Sequence, residues 1–66
     1  MPPERFAMRL KELREGRGFT QEQLAKRAKV SRAYLSRLEM GRHDPPLSRL
    51  RNLAKALGVP VTKLLE

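Results

Sequence analysis

Arg32, Ala33, Ser36 and Arg37 are side chains whose types and spacing suit shared chemistry. At about 100° per helical residue they fall on one side of a segment from Ser31 to Met40, with Tyr34, Leu35 and Leu38 opposite. Their strip carries two arginines and no carboxylate, and Met40 lies further along it. A guanidinium is a planar fork of donors that matches the two acceptors on the major-groove edge of guanine, and each good bidentate pair is worth about 1–3 kcal/mol of base discrimination. Ala33 and Ser36 are small enough to let a helix backbone come close, and the Ala33 methyl suits contact with a thymine methyl. The chemistry on offer is hydrogen-bonded reading of base edges.

Such a strip reads only if other groups hold the nucleic-acid backbone in register. Thr20 and Gln21 open the preceding helix, whose free N–H groups and partial positive charge suit a phosphate. Ser31 at the start of the next segment and Arg42 just beyond its end join them as backbone-contact candidates, with Lys26, Lys29 and His43 as weaker ones. For Gln21 the competing account is a polar residue merely flanking the cap, for Arg32 and Arg37 ordinary surface arginines, and His43 is expected to be just a turn residue.

The composition narrows the classes. Fifteen Lys and Arg stand against seven Asp and Glu, net +8 over 66 residues, and a small domain this basic is drawn to polyanions. With no cysteine there is neither a disulfide nor a thiolate zinc site, and with a single histidine and no clustered partners a metal site is not expected. No converging set of titratable groups exists for acid–base or nucleophilic work, so an enzyme is not expected, nor a cofactor or small-molecule ligand. Met1-Pro2-Pro3-Glu4 lacks a secretory signal, and no apolar run approaches membrane-spanning length; a cytoplasmic protein is expected by default.

Five helices must position these groups, in one all-α domain over residues 1–66 built on efficient helix packing. The first spans about Glu4–Glu15, with Phe6, Leu10 and Leu13 inward, Pro2 and Pro3 before it, and Gly16 and Gly18 closing it. Its charges (Glu4, Arg5, Arg9, Lys11, Glu12) suggest a solvated face. The second opens on Thr20-Gln21-Glu22-Gln23, a capping box with Phe19 and Leu24 at staple spacing, and Gln21, Leu24, Ala25 and Ala28 share a face. Ser31 caps the third, which Gly41 ends, and only Lys29 and Val30 separate it from the second. Pro45-Pro46 start the fourth, with Leu47, Leu50, Leu53, Ala54 and Leu57 inward and Gly58 at its end. Pro60 starts a short fifth carrying Val61, Leu64 and Leu65. Those three apolar residues are a dimer surface, since little chain is left to cover them; the alternative is that they complete the core.

The runs Arg9-Leu10-Lys11-Glu12-Leu13-Arg14, Phe19-Thr20-Gln21-Glu22-Gln23-Leu24-Ala25 and Val30 to Gly41 together resemble the lambda-repressor and Cro type of helix-turn-helix regulators. Leu50-x-x-Leu53-Ala54-Lys55-Ala56-Leu57-Gly58-Val59 with Leu64-Leu65 is similar to the family's last two helices. The resemblance implies a compact five-helix lambda-repressor-like fold with the helix-turn-helix at helices 2 and 3. It further implies binding to double-stranded operator DNA as a two-fold homodimer, with the helix Ser31–Met40 in the major groove. Gln21 matches the family's phosphate-binding glutamine, and Arg32 and Ala33 match its leading base-contact positions. Arg14 and Glu39 match a pair that bridges the first and third helices, a local Glu39–Arg42 pair being the alternative. Two positions depart from the pattern: Lys29 stands where a left-handed glycine is common, and Met40 where many members carry a phosphate-touching asparagine. Ser31-Arg32-Ala33-Tyr34-Leu35-Ser36 also looks like the controller proteins of restriction–modification systems, in which the tyrosine position can approach DNA; here Tyr34 is expected to be a core residue with its hydroxyl at the rim. The function expected is transcriptional regulation through sequence-specific DNA binding; the alternative is an antitoxin or adaptor on the same fold with a protein partner.

Overall fold

The structure, a computed structural model, describes residues 3–66 and contains α1 (Pro3–Gly16), α2 (Gln21–Ala28), α3 (Arg32–Glu39), α4 (Leu47–Leu57) and α5 (Val61–Leu64). The expectation for Pro2 lies outside the described residues. Pro3 does not precede α1 but begins it, where a residue without an N–H forfeits no helical bond. No helix is long and apolar enough to cross a membrane among the described residues.

The four longer helices end in one local device. After each, the N–H groups of two successive residues turn back onto carbonyls of the last turn: Gly18 to Glu15 and Phe19 to Arg14, Lys29 to Lys26 and Val30 to Ala25, Gly41 to Leu38 and Arg42 to Arg37, Gly58 to Lys55 and Val59 to Ala54. The first residue of each pair has positive φ, which glycine adopts freely. Lys29, at φ 61° and ψ 40°, is the exception among the described residues: an L side chain held in the left-handed region. This bend is what lets α3 follow α2 after so short a connection.

α1 packs on α3, α2 on both α3 and α4, and α5 closes against α4 and α1. Phe6, Leu10, Leu24, Leu35, Leu38, Leu53, Leu57 and Leu64 are fully buried where they meet, and Ala25, Ala28 and Ala54 let the backbones approach. Two expectations need correction. Leu47 is 57% exposed: it is the first residue of α4, one turn short of the buried Leu50–Leu53–Leu57 stripe. Leu64 is not part of a free surface; it is fully buried, while Val61 is half-buried against the core and Leu65 is 46% exposed.

Candidate nucleic-acid interface

Local capping fixes both ends of the corner. Thr20 Oγ1 accepts from the Gln23 backbone N–H at 3.1 Å while Gln23 Oε1 accepts from the Thr20 N–H at 2.9 Å. Ser31 Oγ accepts from the Tyr34 N–H at 3.0 Å. These bonds satisfy donors that the first turns would leave orphaned, and they set where α2 and α3 begin. Leu35 and Leu38 then anchor α3 in the core, which turns its opposite face outward.

On that face Arg32, Ala33 and Arg37 are exposed and Ser36 is half-buried. Arg32 and Arg37, with Arg42 beyond the helix end, make no ion pair or side-chain hydrogen bond among the described residues. Met40 is 59% exposed, with its sulfur 3.9 Å from the Ser36 hydroxyl. Arg32 also lines an open concavity with Thr20, Gln21, Glu22, Gln23 and Arg14, so the amino ends of α2 and α3 share one surface. Of the expected site residues the concavity brings Thr20, Gln21 and Arg32 together; Ala33, Ser36 and Arg37 continue along α3, and Arg42 follows at its far end. Val61 and Leu65 belong to α5 and the turn after it, outside this surface.

Beneath it lies an ion pair. Arg14 Nε donates to Glu39 Oε2 at 2.6 Å and its Nη2 to Oε1 at 3.1 Å, while Nη1 donates to the Phe19 carbonyl at 2.7 Å. Arg14 is 9% exposed and the Glu39 side chain 4%. Glu39 pairs with Arg14 across the helices rather than with Arg42. The hydrogen bonds that Arg14 donates to Glu39 raise the pKa of its guanidinium above the ordinary value; burial opposes this, and the Glu39 and Glu15 charges add to it. Arg14 therefore stays charged wherever the fold persists, and it joins the end of α1, the entry to α2 and the end of α3.

Three features had no counterpart in the sequence reasoning. Gln21 Nε2 donates to Glu39 Oε1 at 3.1 Å, coupling the first residue of α2 to the last of α3. Arg9, expected on a solvated face, donates through Nε to the Lys63 carbonyl at 2.9 Å and pairs with Glu66 at 3.2 Å, tying the segment after Pro60 to α1. Tyr34 is half-buried with the Arg49 guanidinium 4.7 Å from its ring centre and the His43 ring 6.2 Å away at 25°, which links α3 to the following loop and α4. All three join residues distant in sequence, so no local pattern signals them.

Residues 10–64 match the helix-turn-helix family. The chain is 47% identical over 58 residues to the HTH-type transcriptional regulator DdrOP3 of Deinococcus deserti, covering 88% of this chain and 45% of that one. It is 44% identical over 57 residues to the immunity repressor protein of Bacillus phage phi105, covering 86% and 40% respectively. The chain thus spans less than half the length of these two relatives. Among solved structures, the restriction–modification controller protein C.AhdI of Aeromonas hydrophila superposes with a TM-score of 0.92 at 34% identity, over 94% of both chains.

Proposed function

The chain belongs to the helix-turn-helix family of the lambda-repressor and Cro type, and on that premise we propose that residues 1–66 form a DNA-binding domain that regulates transcription by reading a specific duplex sequence. The observation that carries the proposal is the outward strip of α3, in which two arginines without an ion pair among the described residues flank two small residues beside the open amino end of α2. Arg32, Ala33, Ser36 and Arg37 read base edges in the major groove. Thr20, Gln21, Ser31 and Arg42 hold the phosphate backbone. The domain acts in the cytoplasm by binding rather than by catalysis.

Two copies related by a two-fold axis would each present one α3 to a pseudo-palindromic operator, with half-sites about 34 Å apart. Val61 and Leu65 are the apolar residues proposed for that contact, Leu64 being committed to the core. The names of the relatives support a regulator over an adaptor that binds only protein.

Binding to duplex DNA measured across a salt series tests the proposal, because phosphate neutralisation makes affinity fall steeply as salt rises. Arg32→Ala should erase discrimination among sequences and spare weak nonspecific binding, whereas Gln21→Ala should weaken all sequences alike. Absence of binding to genomic DNA even at low salt overturns the reading. Equal effects of the two variants on selectivity overturn the division of roles.

A further inference from the structure

We propose that Glu39 is a positioning residue for the Gln21 amide, holding it ready to donate to a phosphate at the amino end of α2. The inference rests on the DNA-facing reading of Gln21 given above. Gln21 is half-buried and its Nε2 lies 3.1 Å from Glu39 Oε1. A carboxylate only accepts, so it compels the amide to turn its NH2 group, not its oxygen, toward the protein. One of the two N–H bonds is used in this way, and the other has no partner among the described residues. A phosphate oxygen is also acceptor-only and takes that second N–H.

Arg14 makes the arrangement workable. Its fork binds both oxygens of Glu39, at 2.6 and 3.1 Å, and so neutralises a charge that would otherwise repel a phosphate nearby. The Glu39 side chain is 4% exposed, so the carboxylate has little water to turn to in place of these partners. The chain of contacts runs from α1 through the last residue of α3 to the first residue of α2, so the phosphate clamp and the reading helix are set by one network. A glutamine released from it would have to be ordered again at each binding event, a loss of up to about tenfold in affinity.

The test is a double-mutant cycle in DNA binding, on a duplex selected from a random pool and on an unrelated one. Removing Glu39 alone would leave Arg14 buried and unpaired, so the pair is replaced together, Arg14→Met with Glu39→Leu. Apolar replacement of a buried ion pair is often neutral or stabilising, and thermal melting verifies folding. Gln21→Ala should bind both duplexes about tenfold more weakly. The paired variant should lose severalfold on both, and the triple variant should be no weaker than Gln21→Ala. Losses that multiply, or a paired variant binding as the wild type does, overturn the inference. A wild type that binds no duplex brings down the DNA reading itself; a wild type that binds while Gln21→Ala matches it brings down the phosphate role of Gln21 and the positioning role of Glu39 with it, and leaves the reading strip of α3 standing.

A second measurement needs no variant. Gln23 accepts through Oε1, and its NH2 group has no partner among the described residues, so it is an internal reference. In the free protein, NMR should find the Gln21 side-chain amide protons more widely split and slower to exchange than those of Gln23. Equivalent behaviour of the two overturns the inference.

Discussion

Lys29→Gly should raise the stability of the fold. Lys29 holds φ 61° and ψ 40°, and there its N–H meets the Lys26 carbonyl at 3.3 Å while the Val30 N–H meets the Ala25 carbonyl at 3.0 Å. The left-handed region costs an L-residue about 1–2 kcal/mol. Glycine removes that strain but gives the unfolded chain more freedom, which offsets about 0.4–1 kcal/mol. The side chain is exposed and makes no ion pair among the described residues, so little else is lost. Taking the middle of each range, the net gain is about 0.8 kcal/mol, or a rise in Tm of roughly 3–6 °C for a domain of this size. Lys29→Ala is the control: it removes the same side chain and keeps the strain, and should stay within about 0.5 kcal/mol of the wild type. Lys29→Val, branched at Cβ, should be worse than either. Calorimetric or circular-dichroism melting measures all three, at one protein concentration because association shifts Tm. A glycine variant that melts with the alanine variant, or below it, refutes the strain argument.

Arg14→Ala should cost about 3–5 kcal/mol in denaturant melts, because it leaves the Glu39 carboxylate buried without its charge partner. Thr20→Ala should cost about 1 kcal/mol by removing the side-chain half of the capping box, with native DNA selectivity retained in a random-pool selection. Leu64→Ala should cost about 2–5 kcal/mol of stability as a core truncation. Leu65→Lys, at an exposed neighbour, should change stability by less than about 0.5 kcal/mol. Sedimentation should then find Leu65→Lys more monomeric than the wild type.

Local structure was legible because local bonds decide it. The bond of Thr20 to Gln23, that of Ser31 to Tyr34 and the glycines after α1, α3 and α4 each act within a few residues of the chain. The inward sides of α2 and α3 follow from the helical period alone. Leu47 and Leu64 show where that period stops being informative. Both sit at the end of a helix, where an apolar residue is covered or bare depending on what lies across from it. The period carries no information about the neighbour.

The amino-acid sequence by itself determined the five helices, their boundaries to within about two residues, the sharp corner between α2 and α3, and the basic outward strip Arg32–Arg37. Only the tertiary structure decided that Glu39 accepts from Gln21 as well as from Arg14, that Arg9 holds Lys63 and Glu66 against α1, and that Leu64 is inside while Leu65 is outside. The physical reason is range. Capping, helical period and turn conformation are settled by bonds between residues a few positions apart, whereas these contacts join residues 18, 25 and 54 positions apart and exist only once the helices have packed.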